Sequence, residues 1–246
     1  MRAVLLSDEK VRQVLNDEVI PCWQMVREVP KVTIDFGGGR VLKRTLVGNT
    51  VMYLCTPDGR VIDALPGVYT PNDFLAEVRP GLDAFKAGRT KELHTTLLKE
   101  TVRSEQIRVS MSKSYVESPL LEALGVKPTV RDDGALVKTE SGSTDKVIER
   151  LARLITDVSK QPKSSDDVLR ESGVPEGADG SEIVAEDSRN NRRFLRPAIH
   201  LYLSQFEVAP APAEITEDIF SKMFEIDLKD PYLGLAKAIP GTPGGG

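Results

Sequence analysis

The sequence predicts an α/β protein, with its strands early in the chain and a mainly helical part after them. Two observations carry this. Residues Val29 to Glu77 hold four strand-like runs separated by three turn signals. Beyond Pro80 the chain becomes rich in Lys, Glu, Leu and Val, with apolar residues recurring at helical spacing.

Taken in order, Ser7 caps a short helix in which Val11, Val14 and Leu15 share one face. Pro21 stands at the first position of a second helix of about two turns, closed by Pro30. Val32 to Phe36 alternates as a strand, and Gly37, Gly38 and Gly39 supply the positive φ for a turn into Val41 to Val47. Thr50 to Cys55 is a near-continuous apolar and β-branched run, the pattern of a central strand buried on both faces. Thr56-Pro57-Asp58-Gly59 turns it back into Arg60 to Ala64. Thr70 caps the following helix, Pro71 takes its first position and Asp73 meets the positive end of its dipole.

Leu82 to about Ser118 reads as largely helical, with apolar positions at Leu93, Leu97 and Leu98 and again at Ile107, Val109 and Met111. Pro119, Pro128 and Asp132-Asp133-Gly134 mark a loop or small hairpin. The clearest helix follows, capped by Ser143 or Thr144, with Val147, Ile148, Leu151, Leu154, Ile155 and Val158 in one stripe that needs a packing partner. Gln161 to Ser181 reads as loop with a short helix over Asp166 to Ser172, and Ala198 to Phe206 as a buried helix or strand. Pro210-Ala211-Pro212 is a rigid spacer before an amphipathic helix from Thr216 to Phe224. The Asp230 to Leu235 segment carries apolar residues suited to docking, on its own domain or on a partner.

Composition narrows the functional classes. With 40% hydrophobic and 28% charged residues over 246 positions the chain matches globular averages, and a formal charge of -4 gives no electrostatic reason to expect nucleic acid or an anionic membrane. No run approaches the roughly 18 to 20 apolar residues of a membrane helix. The opening residues lack a secretory apolar core, so a cytoplasmic location is the expectation. Cys22 and Cys55 are too few for a disulfide framework in a chain of this size.

The run from Thr50 to Glu77, an apolar strand, a Pro-Asp-Gly hairpin, a second strand ending in Pro-Gly and a capped helix, resembles the C-terminal half of a thioredoxin fold. Segments VPKVTIDFG, GNTVMY and GRVIDALPG are similar to those of a group of uncharacterised bacterial thioredoxin-like proteins, and the likeness covers about residues 16 to 82. It implies a thioredoxin-like mixed sheet in residues 1–82; the pattern of the chain beyond it adds a mainly helical extension over 83–240, packed on that sheet, and a flexible tail at 241–246. The family's redox centre is Cys-x-x-Cys at a helix N-terminus. Here the residues three away from Cys22 are Val19 and Met25, and Asn49-Thr50 stands where the family has the cis-proline that lines its substrate groove. The resemblance therefore implies a thioredoxin-like protein without the dithiol centre, a binding or scaffold module whose expected partner is another protein. Trp23, Asn49 and Thr50 are its groove residues.

Two readings stand for Cys22. It is either a lone nucleophile at the start of the helix after Pro21, serving a single-cysteine peroxidase or thiol transferase, or a small buried hydrophobe beside Trp23. Cys55 falls in the central strand and reads as core. Cys22, Cys55, His94 and His200 are of metal-ligating types but show none of the short spacings of a zinc site, so neither metal nor cofactor is expected. Gly37-Gly38-Gly39 precedes a strand-like run, which makes it a turn and not a phosphate loop. Arg189, Arg192, Arg193 and Arg196 crowd together, either as an anion or phosphopeptide site or, the plainer reading, as a solvated helix start balanced by Glu186 and Asp187. His200 reads as a core or rim histidine.

Overall fold

The computed structural model describes residues 5–28, 30–45, 49–112, 117–127, 144–159 and 181–233. The readings that fall on Gln161 to Ser181, on the loop from Pro128 to Gly134 and on residues 241–246 lie outside these, wholly or nearly so. Helices and strands are mixed, as expected, and the four strands lie early in the chain. β1 (Lys31–Asp35) pairs antiparallel with β2 (Val41–Thr45), Asp35 standing opposite Val41. The three glycines between them take φ of 77°, 61° and 78°, as the sequence requires. β3 (Val51–Cys55) pairs antiparallel with β4 (Val61–Pro66) through the Thr56 to Gly59 turn, where the Gly59 N–H donates to the Thr56 carbonyl at 2.9 Å.

Two expectations are corrected here. Among the described residues the strands form two separate antiparallel pairs, so the mixed sheet implied by the thioredoxin resemblance is not assembled from them. Each pair is closed by a tight turn, which fixes its antiparallel sense. The strand buried on both faces is also not β3, which is mostly half-buried, but β4, buried at every residue. A β-bulge explains how β4 serves two cores: Leu54 is opposite Asp63 and Cys55 opposite Val61, leaving Ile62 as the extra residue. Val61 and Ala64 then face one core and Ile62 and Leu65 the other.

The smaller core lies between the hairpin and α1 (Glu9–Asp17), α2 (Pro71–Lys86) and the start of α3 (Leu93–Ser110). Asp8, not Ser7, caps α1, because its carboxylate reaches the N–H groups of Lys10 and Val11 at 3.0 and 3.1 Å. Thr70 and Pro71 begin α2 as predicted, with the Thr70 hydroxyl accepting from the Asp73 N–H at 3.2 Å. The helix does not stop at Pro80 but continues past residue 82 to Lys86. A Cβ on the next residue, Gly81, would stand 2.7 Å from Leu54, so this glycine lets α2 lie close on the hairpin.

The larger core is helical: α3, α4 (Pro119–Leu124), α5 (Thr144–Ser159), α7 (Arg196–Leu203) and α8 (Pro212–Phe224) close over Val61 and Ala64. The stripe predicted for α5 finds its partner here, with Val147, Ile148 and Leu151 buried. α6 (Ser181–Asn190) enters α7 through one π-helical turn, Asn191–Leu195. On α3 the first apolar group is buried at Leu93 and Leu98, but Ile107 and Met111 are exposed. Pro210, read as spacer, accepts the Val61 N–H at 2.8 Å, and Pro212 already begins α8. Leu233 packs with Phe220 and Ile226, so the docking read for the Asp230 to Leu235 segment is onto its own chain as far as it is described. None of the described helices is long and apolar enough to cross a membrane.

Candidate functional site

Most of the buried polar residues gather at one ladder between α2 and α7, Glu105 and Ser118 pairing apart from it. Asp73 and Glu77 are four residues apart on α2; Arg192, Arg196 and His200 follow at steps of four across the π-helical turn and α7. Residues four apart share a helix face, so the two rows can mesh. Arg192 donates from Nη1 to Asp73 at 2.5 Å and from Nε to Glu77 at 2.8 Å. Arg196 donates from Nε to the other Glu77 oxygen at 2.8 Å, and from Nη1 and Nη2 to the two oxygens of Asp63 at 2.9 and 2.6 Å. At the outer end Ser188 donates to Asp73 at 2.6 Å and accepts from the Thr70 N–H at 3.1 Å, joining α6 to the cap of α2.

The inner end is buried. Asp63 is fully buried and Arg196 is 2% exposed, so each would be prohibitively costly to bury without the other. Burial works to raise the Asp63 carboxyl, but the charge and hydrogen bonds of Arg196 outweigh it and hold the group at about 2. Beside this pair, the chain's two histidines meet across 106 residues: His94 Nδ1 lies 3.0 Å from His200 Nδ1, and His94 Nε2 lies 2.9 Å from the carbonyl of Ile62, the bulge residue. A carbonyl only accepts, so His94 carries its proton on Nε2 and offers a lone pair at Nδ1. His200 must then donate from its own Nδ1. Burial lowers both imidazoles; for His200 the charge of Arg196 adds to this and takes it well below its usual value, against the pull of Asp63. The pair is neutral at neutral pH.

The π-helical turn sets the alignment of the ladder with the hairpin. It turns Asn191 toward the loop after β4, where Nδ2 donates to the Val68 carbonyl at 2.9 Å. Gly67, at φ 84°, passes so close under this side chain that a Cβ would overlap it. Such single wide turns inside α-helices recur where a helix must re-aim its side chains. Tyr69 follows, fully buried with its hydroxyl unpaired among the described residues, and burial pushes its phenol far up.

The residues singled out from sequence fare unevenly. Residues 19–28 form neither helix nor strand, so the helix expected after Pro21 is absent; two turns with no buried apolar face cannot stand alone. Cys22 is an exposed free thiol, which removes both the helix N-terminus of one reading and the burial of the other. Trp23 and Asn49 are exposed, while Thr50 is half-buried and its carbonyl accepts the Gly67 N–H at 2.8 Å. Cys55 is half-buried against the larger core and burial raises its thiol. Three of the four arginines are neither an open anion site nor a solvated helix start. Arg192 and Arg196 pair with Asp73, Glu77 and Asp63, and Arg193 lies 3.7 Å from Glu105. His94 and His200 come together with Asp63, and neither cysteine joins that cluster among the described residues. The sequence does carry a signal for this ladder: two helices with opposite charges at four-residue steps, and one Asp inside an otherwise apolar strand.

Fold and site together define a mixed helix-and-sheet protein in which a charged ladder locks a β-hairpin to two helices. In comparisons with known proteins, no family model, curated protein or solved structure matches the chain.

Proposed function

We propose that the chain is a binding module that works without dithiol chemistry and meets a protein partner through the segment from Ile20 to Val26. The observation that carries this is exposure: Ile20, Trp23, Met25 and Val26 are 91%, 78%, 57% and 51% exposed, on a stretch with no helix or strand of its own. Large apolar side chains gathered in one exposed place are what recognition surfaces present. Arg27 anchors the end of the segment, donating to the carbonyls of Leu228, Asp230 and Pro231. The charges of the ladder, by contrast, pair with one another. The β3–β4 hairpin followed by α2 supports reading this half as thioredoxin-like, with Asn49 and Thr50 beside it.

The exposure of Cys22 supports a second reading, a single-cysteine thiol oxidoreductase or peroxidase. Alkylation of Cys22 in the folded protein, followed against pH, separates the two. Under the binding reading Cys22→Ser leaves partner capture unchanged. A titration near or below neutrality that disappears in Cys22→Ser would establish the thiol enzyme instead. Capture of a specific partner by the wild type, lost in an Ile20→Ser/Trp23→Ser variant of unchanged stability, is the positive result expected.

A further inference from the structure

We propose that His94, His200 and Asp63 form a buried site for a divalent metal ion of the zinc class, which would cross-link β4, α3 and α7. The three side chains come from three different elements, are 7%, 3% and 0% exposed, and each offers a ligand atom within 4.8 Å of the others. The two Nδ1 atoms are 3.0 Å apart. Two nitrogens bound to one tetrahedral zinc at about 2.0–2.1 Å would be about 3.3 Å apart, so a small movement admits the ion between them.

The surroundings resemble those that orient metal ligands. A ligating histidine characteristically donates its second ring nitrogen to a carbonyl or carboxylate, which fixes ring and tautomer. His94 does this, with Nε2 on the Ile62 carbonyl at 2.9 Å and its Nδ1 lone pair aimed at His200. Asp63 is held from behind: Oδ1 accepts the Ala64 N–H at 2.7 Å and Arg196 Nη1, while Oδ2 accepts Arg196 Nη2 at 2.6 Å and keeps a lone pair. Two imidazoles and a carboxylate are the donor set of zinc and its neighbours, not of calcium or magnesium. Neutral imidazoles are ready to ligate without first losing a proton.

Charge decides whether such an ion is tolerable beside Arg196. The ladder sets three carboxylates, Asp63, Asp73 and Glu77, against two guanidiniums, Arg192 and Arg196, and so carries one negative charge in excess. Binding consists of coordination alone: two metal–nitrogen bonds and one metal–oxygen bond form, and His200 changes from its Nδ1–H to its Nε2–H tautomer, one proton leaving and one arriving. No proton is released at neutral pH.

Because the chain has only two histidines, the wild type can be tested directly. The full chain, first freed of metal with a chelator, is titrated with zinc while melting temperature and the ring 15N resonances are followed. One equivalent should bind, raise the melting temperature by several degrees at saturation and move both Nδ1 resonances, and cobalt in its place should give the visible absorption of a tetrahedral site. His94→Gln and His200→Gln should each weaken binding at least tenfold, while Cys22→Ser leaves it unchanged. A wild type whose melting temperature and Nδ1 resonances do not respond to zinc overturns the proposal, however the variants fold. So does zinc binding that survives both histidine substitutions or is lost in Cys22→Ser.

Discussion

Arg196 and Asp63, 133 residues apart in the chain, meet through two parallel hydrogen bonds of 2.9 and 2.6 Å in an interior where neither side chain is more than 3% exposed. The guanidinium also reaches the Ala64 carbonyl and, through Nε, Glu77. Only arginine presents donors in such a fork; a lysine could satisfy one carboxylate oxygen and would leave the rest buried and bare. The pair thus fixes α7 over β4, the strand buried at every residue between the two cores.

This geometry predicts strong coupling. Arg196→Met should destabilise by about 3–5 kcal/mol, because it strands a buried carboxylate, and Asp63→Leu should do likewise by stranding the guanidinium. The double variant should recover most of that loss, since an apolar pair of similar volume removes both desolvation penalties. Urea unfolding of the four proteins measures the cycle. Single losses that merely add in the double variant would show that the two groups are not coupled.

Acid should weaken the fold in two stages. Burial depresses both imidazoles in the folded state, whereas unfolded histidine takes up its proton near about 6.5. Below that pH the unfolded chain binds more protons, so stability contributed by the neutral pair falls as pH drops through about 6.5 and onward. Asp63 acts lower down: with its folded value at about 2 against a usual 3.8, its contribution is complete above 3.8 and is lost between the two. Denaturation midpoints at pH 8, 7, 6 and 5 should be level above 7 and decline below, and a His94→Gln/His200→Gln variant should flatten the decline. A wild-type curve that stays level to pH 5 would contradict a neutral buried pair.

Local chemistry made part of this fold legible. Thr70-Pro71, the glycine turns and the α5 stripe act through propensities of a few neighbouring residues, and each stands where the sequence puts it. What failed needed information from distant parts of the chain. Asp63 interrupts an apolar strand and gives no local hint that Arg196 neutralises it, and a four-residue row of arginines looks solvated until α2 supplies Asp73 and Glu77 at the same spacing. The division read at residue 82 falls inside α2, which runs through Pro80 to Lys86 where Gly81 lets it lie close on the hairpin. The Cys22 segment failed for the opposite reason: its helix had local signals but no apolar face to bury.

Gly67 should be far less tolerant than Gly59, although both have positive φ, 84° and 81°. An added Cβ at Gly59 meets nothing within 4 Å, so Gly59→Ala should cost only the left-handed backbone penalty of about 1–2 kcal/mol. At Gly67 the same atom overlaps Asn191, which is held in place by its hydrogen bond to the Val68 carbonyl. Gly67→Ala should therefore cost clearly more, by thermal or urea unfolding, and Gly67→Ala/Asn191→Ala should cost less than the two single losses combined. Equal costs for the two glycines would mean that the wide turn is not pressed against this loop.

Trp23 is the protein's single tryptophan and is 78% exposed, so its fluorescence reports the Ile20 to Val26 segment alone. In the isolated chain its emission should be that of an indole in water and should shift little on unfolding. Ile20→Ser and Trp23→Ser should change folding stability by no more than about 0.5 kcal/mol, since side chains already in solvent lose no burial. A partner that covers the segment should move the emission to shorter wavelength, and a Trp23→Ser loss of binding would then be a loss of contact and not of fold. If the isolated protein already emits at short wavelength and reddens on dilution, the segment is covered by a second copy of the chain. Size-exclusion chromatography over the same concentrations would identify that species.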